Sequence, residues 1–115
     1  ANYNTQSSYL YQFGHVPPEK QNFPNYGAFH TSEVPYALHT LHTWNRDWQP
    51  LDKTIEDALS SYWVNFAKTG NPNGDNLPNW NTYDKQSGNI MVIEDTTLSS
   101  KVGFLKSELD FLAEL

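Results

Sequence analysis

Only two stretches of this chain, Tyr9–Phe13 and Ile90–Ile93, carry enough clustered apolar and β-forming side chains to read as strands. Helical patterns and turn chemistry lie between and after them. Strands separated by helices point to parallel pairing in an α/β sheet. Two strands cannot make an independently stable sheet of that kind, so the reading is an incomplete sheet that belongs to a larger one. Both strands are predicted to be buried on both faces.

The firmest helical pattern runs from Asp52 to Thr69. Ile55, Leu59, Tyr62 and Phe66 share one face, and Ala58, Trp63 and Ala67 widen the stripe. Asp52 reads as its cap, Gly70 as the left-handed residue after its last turn, and Pro72 as a residue that cannot continue it. A shorter helix is predicted from Ser32 to about Leu41, with Ser32 as cap and Pro35 tolerable only in its first turn. A third is predicted to follow Ser99 or Ser100, with Val102, Leu105, Leu109 and Leu112 as its apolar stripe. Residues 14–29, holding Pro17, Pro18, Pro24 and Gly27, read as a long loop that delivers something. Asn71–Gly74 and Ser87–Asn89 are turns.

The 115 residues correspond to one domain with one core. Seven Lys and Arg against 13 Asp and Glu give a net charge of -6, which supplies no basic footprint for phosphates and argues against nucleic acid as a partner. Cysteine is absent, so neither a disulfide framework nor a thiolate zinc site is available. No apolar run approaches the roughly 20 residues that a membrane span needs, and a soluble protein is expected, whether cytoplasmic or exported. Aromatic residues make up 15% of a sequence that is otherwise polar, and such rings suit core packing, since each buries a large area. Trp44, Trp48, Trp80 and Tyr83 in loops leave a carbohydrate-binding face as a rival reading. A non-catalytic fragment that docks on another chain is a second.

Four histidines, at 15, 30, 39 and 42, are the candidate acid–base groups. His30 closes the long loop just before a predicted helix, in Gly27-Ala28-Phe29-His30-Thr31-Ser32-Glu33, where flanking elements can present an imidazole to a cleft. His39 and His42 would share a helix face, but the nearby carboxylates Glu33 and Asp47 complete no recognised metal spacing, so no metal is expected. His15 has only its place at a strand end in its favour. No serine here has a glycine two residues before it and another two after, so the local signature of a nucleophile is missing.

Several segments, taken in order, carry a family resemblance: Tyr9-Leu10-Tyr11-Gln12-Phe13, then Gly27-Ala28-Phe29-His30-Thr31-Ser32-Glu33-Val34-Pro35-Tyr36, then Trp63-Val64-Asn65-Phe66-Ala67-Lys68-Thr69-Gly70-Asn71-Pro72-Asn73-Gly74, then Leu77-Pro78-Asn79-Trp80 and Tyr83. They are similar to the C-terminal portion of type-B carboxylesterases, the cholinesterase-like and para-nitrobenzyl esterase-like family. The resemblance runs from about Tyr9 to the end of the chain.

It implies that residues 1–115 are the C-terminal part of an α/β-hydrolase fold, with two short parallel strands and about three helices. It also implies that His30 is the base of a catalytic triad acting on small-molecule esters, and that Glu33 is a buried residue holding the histidine loop. The plain alternative for Glu33 is a surface glutamate in a first helical turn. In that family's chain order the serine, the triad acid and the glycine-rich oxyanion hole would all lie upstream of Ala1. The implied partner is therefore the N-terminal portion of the same enzyme or a self-associating copy, with no cofactor. Two departures stand out. Asn81 occupies a position that is often proline, and the glycine often found after the helix that follows the histidine is replaced around Leu38–His39.

Overall fold

A computed structural model describes residues 6–20, 26–94, 98–102 and 106–115. Strand β1 (Tyr11–Phe13) pairs in parallel with β2 (Ile90–Ile93), in the register Tyr11 with Met91 and Phe13 with Ile93. The pair is the parallel one that the sequence predicts. A third strand, β3 (Leu98–Lys101), adds antiparallel to β2 and makes the sheet mixed, in the order β1-β2-β3. Ser99 and Ser100, read from the sequence as helix caps, are ladder residues of β3. The helix α3 starts later and spans Lys106–Ala113. Of its expected stripe, Val102 and Leu112 are exposed, while Leu105 and the side chain of Leu109 lie outside the described residues.

β2 is buried at all four positions because it lies between the two other strands. β1 is only half-buried: Tyr11 and Phe13 pack against the core, while Gln12, which alternates to the other face, is exposed. The expectation of burial on both faces therefore holds for β2 and fails for β1.

The helix predicted over Ser32–Leu41 is a single turn, α1 (Val34–Ala37), followed by a 3-10 turn at Leu41–Thr43. What stops it is His39, whose backbone is left-handed at φ 56 while the Thr40 N–H donates to the Pro35 carbonyl at 2.8 Å. That 6→1 bond closes the helix in the manner that normally recruits glycine. His39 thus takes the place that a glycine normally fills at a helix end. The break also separates His39 from His42, so the two do not share a helix face.

Helix α2 (Pro50–Thr69) begins two residues earlier than the sequence reading placed it. Gln49 is the cap, and Asp52 is the third helical residue, whose carboxylate accepts the Gln49 N–H at 2.7 Å in a reciprocal capping box. At the other end Gly70 adopts φ 78 and donates to the Phe66 carbonyl at 2.7 Å, as predicted. The buried face holds Ile55, Ala58, Leu59 and Tyr62, but also Asp52 and Glu56. Phe66 and Trp63, counted on the apolar stripe, are about half exposed at 48% and 49%.

The aromatic residues build the core that joins α2 to the sheet. Trp80, 5% exposed, meets Tyr9, Tyr11 and Tyr62 edge to face at centroid distances of 5.9, 5.8 and 5.2 Å. Its indole N–H donates to the Leu10 carbonyl, and its backbone is held at both ends by the Asn73 amide. The Tyr62 hydroxyl donates to the Pro78 carbonyl, and burial pushes its pKa up to about 12, so it stays a neutral donor. The Asn-Pro-Asn-Gly and Leu-Pro-Asn-Trp segments are thus a clamp for one ring, and Trp80 is not a sugar-binding platform. The Asn81 N–H, which proline would lack, donates to Ser100 Oγ and ties this loop to β3.

Candidate functional site

Phe29 and Ser32 close a tight turn through an N–H to carbonyl bond of 3.0 Å, which leaves His30 and Thr31 at its two central positions. Thr31 has φ 71. A turn with positive φ at its third residue ordinarily takes glycine or asparagine, and a β-branched residue there is strained. His30 is exposed at the tip, and its ring makes no hydrogen bond among the described residues. Left-handed backbone costs an L-residue ~1–2 kcal/mol, partly offset by the entropy that glycine loses on folding. Thr31→Gly should therefore raise the urea-unfolding free energy by about 1 kcal/mol; an unchanged or lower value would show that the turn is not strained.

The loop behind this exposed tip is pinned at several points. At its start His15, 5% exposed, places Nε2 2.7 Å from Asp52 Oδ1. The same oxygen accepts the Tyr36 hydroxyl at 2.8 Å. A carboxylate only accepts, so the His15 ring carries its proton on Nε2 in this contact. Tyr36 has its pKa raised, first by burial and then by its bond to Asp52, which keeps it a hydroxyl donor. In mid-loop the Arg46 guanidinium donates to the Pro18 carbonyl at 2.6 Å. It also lies 5.6 Å from the ring centre of Phe29 and 5.7 Å from that of Trp44, whose rings stack 11° from parallel. Phe29, the neighbour of His30, is therefore held from the connector that precedes α2.

Glu33 is half-buried at the N-cap of α1 and makes no side-chain cap bond. Its charge reaches the Tyr11 hydroxyl, whose pKa is raised first by burial and second by Glu33. His42 is exposed on the 3-10 turn. His39 is exposed too, and its Nε2 lies 3.0 Å from Asp57 Oδ1, a hydrogen bond that raises its pKa. His39, Glu56 and Asp57 bring three ligand-type atoms within 4.8 Å of one another, with the Lys53 ammonium 3.7 Å from Glu56 as the cation beside them.

Sequence reasoning singled out His30 and left His15 with little. It missed that Asp52 and Glu56, four apart on α2, both turn inward. Glu56 Oε2 accepts the Leu41 N–H at 2.9 Å, as Asp52 accepts His15 and Tyr36. The available signal was their spacing beside Ile55 and Leu59, which puts them on the buried stripe.

An apolar cavity of roughly 180 Å³ lies elsewhere, against Tyr9, Tyr11, Trp63, Phe66 and Trp80. No described helix is long and apolar enough to cross a membrane.

The profile of the carboxylesterase family matches residues 1–112. Human cocaine esterase is 32% identical over 81 residues, 68% of this chain and 14% of its own length. Human bile salt-activated lipase is 31% identical over 106 residues, 89% of this chain and 14% of its own. Among solved structures, a thermophilic PNB esterase superposes with a TM-score of 0.74 at 26% identity, covering 90% of this chain and 21% of that one. The chain therefore spans only a small part of the relatives it matches.

Proposed function

Since the chain belongs to the carboxylesterase family, we propose that it supplies the triad base of a serine carboxylesterase, with His30 as that base. The serine and the triad acid come from the N-terminal portion of the same enzyme, the partner in this reading. As the serine Oγ bonds to the ester carbonyl carbon, His30 takes the hydroxyl proton. It returns that proton to the departing alcohol oxygen as the C–O bond breaks. Water then attacks the acyl-enzyme, its proton passing to His30 and on to the freed serine. Glu33, at the start of α1, helps hold the histidine loop.

The observation that carries this reading is the placement of His30, an exposed imidazole at a turn tip whose supporting loop is fixed to buried groups. Two further features support an N-terminal partner. β1 has an edge with no neighbour among the described residues, and Leu10, Trp63, Val64 and Phe66 are exposed on a chain that has a defined core. Open edges and apolar patches of this kind invite pairing.

The test is complementation. The 115-residue chain alone should hydrolyse a simple aryl ester no faster than buffer, and mixing it with the separately produced N-terminal portion should restore turnover. Turnover by the chain alone, well above that of free imidazole, would mean that it carries its own nucleophile and would overturn the proposal.

A further inference from the structure

The loop that bears His30 leaves β1 at one end and enters α1 at the other, and a single buried side chain holds both ends. Asp52 is 1% exposed. Its Oδ1 meets His15 Nε2 at 2.7 Å on the entry side of the loop and the Tyr36 hydroxyl at 2.8 Å on the exit side. Its Oδ2 accepts the Gln49 N–H at 2.7 Å and so belongs to the N-terminal cap of α2. Residues 15 and 36 are separated by the whole loop, yet both are tied to one carboxylate on the first turn of the longest helix. The helix N-terminus favours negative charge there, and three donors occupy the two oxygens.

We infer that Asp52 is a positioning residue for the His30 imidazole: it fixes the base of the loop to α2, and the histidine turn takes its position from that anchor. Asp52 itself touches no reacting atom. Its contribution passes through His15 and Tyr36, with Arg46 and Trp44 holding Phe29 next to the turn. The inference rests on the reading of His30 as the triad base. A base misplaced by a loosened loop loses rate in the chemical step more than it loses substrate affinity.

The experiment uses the intact esterase carrying this chain. Asp52→Ala should lower kcat by about 10–100-fold, the order that a small misplacement of a catalytic group costs when the change lies away from the chemistry, with KM changed less than about threefold. Tyr36→Phe should lower kcat by a smaller factor, and adding it to Asp52→Ala should cost nothing more, because the hydroxyl acts through Asp52. Amide hydrogen exchange should rise about tenfold or more in residues 14–20 and 26–36 while residues 60–69 of α2 stay protected. A kcat within about threefold of the parent in Asp52→Ala, a further loss on adding Tyr36→Phe, or exchange rising equally in both regions would overturn the positioning role. If Asp52→Ala does not fold, Tyr36→Phe carries the test alone: unchanged kcat with unchanged exchange contradicts the inference. His30→Ala in the same assay keeps the two ideas apart. Loss of turnover there with normal Asp52→Ala kinetics sinks only the anchor, whereas retained turnover with loosened exchange in Asp52→Ala sinks the assignment of the base.

Discussion

Replacing His30 by alanine in an intact esterase that contains this chain should cut ester turnover by about four orders of magnitude or more, with almost no loss of stability. The rate effect follows from the way triad members act as a unit: without the base, the serine hydroxyl keeps its proton and the remaining groups supply only residual catalysis. The stability effect follows from exposure. Within this chain the His30 ring sits at a turn tip with no hydrogen bond among the described residues and no place in the core, so its loss should cost the chain's own folding no more than about 0.5 kcal/mol. His42→Ala, also on an exposed ring, should cost less than about tenfold in rate, roughly 1.4 kcal/mol in the barrier. His15 is different in kind, because it is buried against Asp52, and its replacement disturbs the fold as well as the loop. Matched melting curves are what make the His30 and His42 values comparable.

The second large effect is on stability. Trp80→Ala should destabilise the protein by ~3–5 kcal/mol, the usual cost of truncating a buried large aromatic side chain. Here the ring is wedged between Tyr9 and Tyr11 from the sheet side and Tyr62 from α2. Its removal leaves a cavity lined by three aromatic rings and takes from the Leu10 carbonyl one of its two donors, the Met91 N–H remaining. Set against the ~5–15 kcal/mol by which domains are typically stable, that is a large fraction of the whole. Trp80→Phe keeps most of the packing but loses the indole N–H, and should cost clearly less. The urea midpoints of the two variants check this. Equal midpoints for parent and Trp80→Ala would show that the ring does not join loop to sheet.

What was legible in the sequence depended on whether the signal was local. Ile90–Ile93 was readable because an apolar run after a turn has few other uses, and the end of α2 because Gly70 is followed by Pro72. β3 was not readable: Leu-Ser-Ser-Lys has neither alternation nor bulk, and its strand state comes from pairing with β2. The short α1 escaped the periodicity because Val34, Ala37, Leu38 and Leu41 keep helical spacing across a break that only the left-handed His39 reveals.

The site divided in the same way. His30 stood out by its place at the end of a long loop and by the family segment around it. Its supports did not, because they are contacts between residues far apart in the chain: His15 with Asp52, Pro18 with Arg46, Tyr36 with Asp52. A polar residue on a helix reads as a solvated face until something is found to pack on it. Asp52 reads from the sequence only as a cap and Glu56 is not singled out, because their inward contacts are to His15, Tyr36 and Leu41, far away in the chain.

The claim that matters most is that the His30 imidazole itself moves the proton. It is tested most directly by measuring ester hydrolysis by the intact enzyme with His30→Gly, with and without added imidazole, beside His42→Gly. The His30 variant should lose about four orders of magnitude or more, imidazole should restore part of the rate in a saturable way, and the His42 variant should behave like the parent. A His30→Gly enzyme that turns over within about tenfold of the parent without imidazole would contradict it.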